Sequence, residues 1–361
     1  MNHTDAVNRA LMKSEVNAHG ERRTYQKSDF ASAQNVRWCP GCGDYAILSA
    51  MQRTCAKVGI PRERQVFISG IGCAARFPYY MNTYGFHTIH GRAPGIATGL
   101  ALTREDLNIW VITGDGDGLS IGVGHLLHLI RRNLNVNVLL FNNKIYGLTK
   151  GQYSPTSEQG KITSSSPFGS LDYPFDAIKL VSAAGASFIA RVLDRDLNLM
   201  EHVFTAALEH KGTAFIEVYQ NCNIFNDGAF HLFTDRTSRS DQAVFLAEGE
   251  PLRFGKENNS VITWDGFTID TATVRPNGKP HDLPNHTVIH DSSRDSLSYD
   301  AFYQRLAADE EKPTPFGILK RVVRPTYEEV ARHQVTDHFL TEFANTDKRD
   351  AWLQKFIAAK N

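Results

Sequence analysis

The chain has 361 residues, of which 42% are hydrophobic and 22% charged, which excludes disordered, collagen-like and disulfide-scaffold classes and leaves a globular chain with a core. Thirty-nine basic residues balance 39 acidic ones, so no general field draws it to nucleic acid or to an anionic membrane. No apolar run approaches the roughly 20 residues of a bilayer span, the first thirty residues lack a signal-peptide core, and five cysteines are too few and too odd for a secreted staple framework; a cytoplasmic address is the expectation.

Residues 1–35 carry few large apolar side chains and read as an N-terminal arm. The pattern tightens at Trp38-Cys39-Pro40-Gly41-Cys42-Gly43-Asp44, a turn followed by helical apolar spacing with Asp44 as its cap and Gly59-Ile60-Pro61 as its end. Val66-Phe67-Ile68-Ser69, broken by Gly70, Gly72 and Cys73, and Asn108 to Thr113, broken by Gly114, read as buried strands ending in loops. A helix over 120–133 and a strand over 135–141 then give strand, helix, strand, the order of parallel pairing. The alternation resumes with a helix over 177–186, a strand over 187–192, a helix over 197–210 and a strand over 214–219. We therefore expect one α/β domain over 36–230, a mostly parallel sheet flanked by helices, followed by a C-terminal hairpin near 252–268 and a charged extension to 361. Residues 153–173, rich in Ser, Pro and Gly, are long enough to be a functional loop.

Gly114-Asp115-Gly116-Asp117-Gly118 follows a strand and opens a helix, where an α/β fold aims backbone N–H groups at an anion and glycines let a phosphate approach. A carboxylate in such a loop repels a diphosphate unless a cation lies between them, so Asp115 reads as a ligand of Mg²⁺ or Ca²⁺ and Asp117 as a loop-stabilising residue. Asn142 and Asn143 end the next strand at the same sheet edge, so the Asn143 amide and the Ile145 carbonyl can complete the oxygen ligands. Gly-Asp-Gly alone is a common turn; followed by Asn-Asn at this spacing it is the pattern of thiamine-diphosphate enzymes. Cys39, Cys42, Cys73 and Cys222 begin or end loops and suit a 4Fe-4S cluster, a tetrahedral zinc or ordinary buried thiols, a redox-active Cys-x-x-Cys pair being a further reading; Cys55 lies within a helix as a small core residue.

Taken together, Trp-Cys-Pro-Gly-Cys-Gly, Gly-Ile-Gly-Cys, His-Gly-Arg-Ala-Pro-Gly-Ile-Ala-Thr-Gly, Gly-Asp-Gly-Asp and Asn-Asn-Lys-Ile-Tyr-Gly-Leu-Thr-Lys-Gly closely resemble the beta subunit of 2-oxoacid:ferredoxin oxidoreductases, most of all those acting on 2-oxoglutarate. The likeness covers 36–226, with a weaker match over 251–255. It implies a thiamine-diphosphate-binding fold, Cys39, Cys42, Cys73 and Cys222 on a 4Fe-4S cluster, and Asp115, Asn143 and Ile145 on the Mg²⁺ of thiamine diphosphate, with Gly72, Cys73, Gly114, Gly116 and Asp117 beside the cofactor. It further implies that a 2-oxoacid is decarboxylated, that electrons pass singly through the cluster to ferredoxin, and that CoA takes the acyl group, or the reverse. For the substrate carboxylates we expect Arg76, Lys150 and Arg92, each otherwise an ordinary surface cation, with His90 lining the pocket. His125 and His128 read as structural. Thiamine enzymes activate the aminopyrimidine with a glutamate from a second domain; nothing here marks one, so an alpha subunit and an α₂β₂ assembly are expected. The rival readings are pyruvate or broad 2-oxoacid specificity, a non-redox thiamine decarboxylase half with structural zinc, and a non-catalytic electron carrier.

Overall fold

The computed structural model describes residues 24–276 and 282–342, with 350, 351, 354, 355 and 358. Most of the expected arm, residues 1–23, and most of the tail after 342 lie outside the described residues. Its strands in chain order are β1 (Gln65–Ser69), β2 (Tyr84–His87), β3 (Asn108–Gly114), β4 (Asn137–Asn142), β5 (Phe188–Leu193), β6 (Ala214–Tyr219), β7 (Ala243–Phe245), β8 (Arg253–Phe254), β9 (Ser260–Trp264), β10 (Ile269–Thr273) and β11 (Thr314–Arg321). Eight form one sheet in the order β2-β1-β3-β4-β6-β5-β11-β7, parallel except where β11 runs antiparallel to β5. The other three form a small antiparallel sheet, β10-β9-β8, at the expected hairpin.

The central strands read as unbroken apolar runs because both faces are covered. Along β3, Ile109 and Val111 pack on the side of helices Ala93–Thr103 and Val123–Arg131, while Trp110 and Ile112 pack on the side of Asp44–Val58 and Leu197–Glu209. That alternation is the period-2 geometry of a strand buried on two sides. Helix Asp44–Val58 ends at Gly59, whose φ of 74° is left-handed and whose N–H bonds to the Cys55 carbonyl.

Three expectations are corrected. Asp44 is not the helix cap: Gly43 holds that position, and Asp44 is the first helical residue, buried, with Oδ1 lacking a hydrogen-bond partner. The helix expected over 120–133 is shorter, Val123–Arg131, and a separate short helix, Asp115–Leu119, precedes it across the non-helical backbone of Ser120. The boundary at 230 does not divide the sheet, because β7 and β11 join it at one edge and helix Leu297–Ala308 packs against it. The described part of the arm is also tied down: Tyr25 and Phe30 are buried and Ala31 bridges to Met81.

Candidate functional site

The connection from β1 leads to β2 on one side, and β3 then pairs with β1 on the other, so the strand order reverses between β1 and β3. Open α/β sheets bind ligands at such a point, outside the carboxyl ends of the strands. A narrow cleft of about 70 Å³ lies there, lined by Ile71, Gly72 and Cys73 after β1, His90 after β2, Gly114 to Asp117 after β3, and Asn143 with Ile145 to Thr149 after β4.

Asp115 is buried beneath this cleft, and its Oδ2 accepts hydrogen bonds from Ser154 Oγ and Thr156 Oγ1, each at 2.6 Å. Burial pushes its carboxyl above the ordinary range against those hydroxyls and the backbone N–H groups of Gly116 and Asn143. Among the described residues no cation pairs with it, so the carboxylate suits a metal ion brought in with a ligand. The Asn143 amide oxygen accepts from Ile145 N–H at 3.2 Å, placing those two residues in one tight turn. At Gly116 an added Cβ would lie 2.2 Å from the Tyr146 ring, whose hydroxyl donates to the Gly116 carbonyl at 3.0 Å; only glycine leaves this floor open. Asp117 points away, its Oδ1 accepting from Gly91 N–H at 2.8 Å and its Oδ2 from Thr113 Oγ1 at 3.0 Å, which fastens the loop after β2 to the loop after β3.

The cysteine loops meet at the other wall. Gly43 N–H bonds to the Asn221 carbonyl and Asn223 Nδ2 to the Pro40 carbonyl, so the Cys39–Cys42 turn is stitched to the segment carrying Cys222. A Cβ on Gly147 would lie 3.5 Å from Cys222 Sγ and 3.6 Å from Cys73 Sγ, so both sulfurs reach the glycine that lines the cleft. Cys42 is close enough to both to feel their charges, and Cys39 to act on Cys73, although among the described residues no three His, Cys, Asp or Glu side chains close around a single ion. Gln220 Nε2 donates to Cys42 Sγ at 3.3 Å. Burial, then the charge of Asp44, pushes the Cys42 thiol up and lifts Cys73 to about 12, the opposite of an activated redox thiol. Asp44 lines the cleft beside them, and burial reinforced by Asp194 raises it to about 7. Cys55 is buried elsewhere, against Gln65 Oε1 at 3.0 Å.

The expected substrate cations are scattered. Arg76 is half-buried in a neighbouring groove with Arg37 and His87, which shares Ile71, Gly72 and Leu148 with the cleft. Lys150 is exposed, one residue beyond the lining Thr149, with a left-handed φ of 75°. Arg92 is exposed and lies 2.5 Å from His125 Nε2. His90 lines the cleft, 3.6 Å from Asp117. Sequence reasoning missed Asp44, Tyr146, Ser154 and Thr156; the only signal for the last two was the unusual length of the 153–173 loop that carries them.

Residues 70–218 match the family described as thiamine pyrophosphate enzyme, C-terminal TPP binding domain, which spans the loops just described. The chain is 50% identical over 308 residues to the 2-oxoglutarate oxidoreductase subunit KorB of Mycobacterium tuberculosis, covering 85% of this chain and 81% of that protein. It is 40% identical over 185 residues to the 2-oxoglutarate synthase subunit KorB of Archaeoglobus fulgidus, 51% of this chain and 69% of that one. Its fold matches the 2-oxoglutarate:ferredoxin oxidoreductase from Magnetococcus marinus, solved with 2-oxoglutarate, coenzyme A and succinyl-CoA bound, with a TM-score of 0.69 and 30% identity over 88% of this chain and 91% of that chain. The parallel sheet, the thiamine pyrophosphate domain and these extended identities agree: the chain belongs to the beta subunits of the 2-oxoacid:ferredoxin oxidoreductases, an oxidoreductase subunit with 2-oxoglutarate enzymes among its relatives.

Proposed function

We propose that the chain is the thiamine diphosphate and 4Fe-4S subunit of a 2-oxoglutarate:ferredoxin oxidoreductase, interconverting 2-oxoglutarate, CoA and oxidised ferredoxin with succinyl-CoA, CO₂ and reduced ferredoxin. One observation carries the reading: a single cleft takes its floor from the Gly114–Asp117 loop and a wall from Cys73, whose sulfur converges with that of Cys222 on Gly147.

The residues fit both groups. Asp115, the Asn143 amide oxygen and the Ile145 carbonyl would hold Mg²⁺ on the diphosphate, all hard oxygen donors from one side. Cys39, Cys42, Cys73 and Cys222 would hold the cluster, whose several iron atoms need thiolates set wider apart than the four around one zinc. When bound, thiamine diphosphate supplies the nucleophilic carbon and electron sink for loss of CO₂, and the cluster a one-electron acceptor beside it. The chain's own groups hold and orient. Tyr146 and Gly116 shape the diphosphate floor, Asp117 fixes the loop, and the Gln220 side-chain Nε2 directs a hydrogen bond at the Cys42 sulfur. Arg76, in the groove that continues from the cleft, is the cation we assign to a substrate carboxylate, with His90 in the cleft lining and Lys150 and Arg92 as the further cations of the assignment.

The aminopyrimidine-activating group is assigned to an alpha subunit in an α₂β₂ assembly, with ferredoxin as electron partner. Phe168, Leu171 and Tyr173 on the long loop are at least 82% exposed, and the β2 edge presents Tyr84 and Phe86, apolar surface of the kind that a subunit covers. No described helix is long and apolar enough to cross a membrane, and a cytoplasmic location is part of the proposal.

The test is anaerobic: the chain purified with its alpha subunit should reduce a viologen dye with 2-oxoglutarate only when CoA is present, and the single chain should not. Equal rates with pyruvate would redirect the assignment to a broad 2-oxoacid enzyme. A colourless protein containing zinc and no iron would overturn the cluster.

A further inference from the structure

Below the cleft an unbroken line of buried side chains runs from the C-terminal part of the chain to the expected metal ligand. Arg191 on β5 donates from Nη1 to the Ala307 carbonyl of helix Leu297–Ala308 at 3.4 Å and from Nε to Glu217 Oε2 on β6 at 2.7 Å. The side chains of this ion pair are each 2% exposed. Glu217 Oε1 accepts from Asn142 Nδ2 at 2.8 Å, and the Asn142 Oδ1 lies 3.0 Å from Thr156 Oγ1, whose hydroxyl is 2.6 Å from Asp115 Oδ2.

A buried ion pair is weak evidence for stability, since apolar replacements of similar volume are often neutral or better. Its geometry gives it another use. An amide has a donor end and an acceptor end, and a carboxylate paired with arginine offers only acceptors. Glu217 therefore dictates that Asn142 turns its Nδ2 inward and its Oδ1 toward the loop. There Oδ1 accepts the N–H of Lys144 at 3.2 Å, and Lys144 holds a left-handed φ of 55°, unfavourable for a side-chain-bearing residue. The turn so pinned, 142–145, is the one that presents the Asn143 amide and the Ile145 carbonyl.

We infer that Glu217, oriented by Arg191, is a positioning residue of the metal and diphosphate site, acting through Asn142 on the 142–145 turn. The inference rests on the proposed function for the identity of the ligand. Two double variants separate it from a packing role. R191M/E217Q removes both charges and keeps an acceptor for Asn142; R191M/E217L removes the acceptor as well. Binding of thiamine diphosphate in Mg²⁺, measured by titration calorimetry on the complex with the alpha subunit, should stay near wild type in the first and weaken about 10–100-fold in the second, the range for groups that orient metal ligands, with similar melting temperatures for the two. Asn142→Ala, which leaves the ion pair in place, should show the same loss. Equal affinity of the two double variants, or wild-type affinity in Asn142→Ala, would overturn the role of Glu217. A wild-type complex that binds no thiamine diphosphate would overturn the proposed function as well, so the two failures are distinct.

Discussion

The two edges of the main sheet carry buried polar clusters of similar make-up and different consequence. At the amino edge, just before β4, β5 and β6, Ser187 Oγ stands 2.6 Å from Asn133 Oδ1 and 2.8 Å from His210 Nε2, and Asn133 also accepts from Thr213 N–H at 3.1 Å and donates to the Pro325 carbonyl at 3.1 Å. A serine, a histidine and an amide within hydrogen-bond reach look like nucleophile chemistry, yet Ser187 is fully buried and its partners are other internal groups. At the carboxyl edge Glu217, Asn142, Thr156 and Asp115 instead lie buried under an open cleft, and the cluster ends at a carboxylate with no cation to balance it among the described residues. A closed polar cluster spends its hydrogen bonds on itself and specifies the fold, whereas one that ends at a cleft with an unbalanced charge leaves something for a ligand to complete.

The contrast can be broken by substitution. Asp115→Ala should cause the largest change, weakening Mg²⁺-dependent binding of thiamine diphosphate by more than about 100-fold, because a direct ligand matters more than the outer groups that give 10–100-fold effects; calorimetry reads it. Wild-type affinity in that variant would erase the distinction between the edges.

At the amino edge the effect is on stability alone. Burial depresses His210 from its ordinary 6.5 to about 4, with the Arg321 charge adding to it. The unfolded chain therefore binds a proton here that the folded chain refuses: stability is complete above about pH 6.5 and is lost as pH falls toward 4, by roughly 3 kcal/mol at most. His210→Gln should flatten that slope in urea unfolding measured at several pH values, without touching cofactor affinity. An unchanged slope would show that His210 is not the titrating group.

Smaller still is Gly116→Ala. Its Cβ meets the Tyr146 ring, an overpacking that should cost about 1–3 kcal/mol unless the ring moves aside, and moving it opens the diphosphate floor. Thermal melts with and without thiamine diphosphate and Mg²⁺ should show a smaller ligand-induced shift than wild type; a full shift would mean that the floor tolerates the methyl group.

The sequence by itself determined the central architecture and the loops that matter. The strands from β3 to β6 are legible because burial on both faces writes an uninterrupted apolar run, and Gly114 to Asp117, Asn143 and the cysteine turn are legible because their chemistry is local. Tertiary structure decided what depends on distant partners. The edge strand β2 is exposed along its whole length and so has no apolar run to read. The last strand, β11, contains Pro315, Gly317, Lys320 and Arg321, and is buried in spite of them because Lys320 Nζ reaches Asp300 Oδ2 at 2.6 Å on helix Leu297–Ala308. Ser154 and Thr156 are ordinary loop residues until the fold lays them on Asp115, and Arg191 and Glu217 are two charges on separate strands until β5 and β6 pair them in register. Spacing along the chain records which face a residue turns to the core; which group it meets there depends on elements tens to hundreds of residues away, and only the packed sheet brings them together.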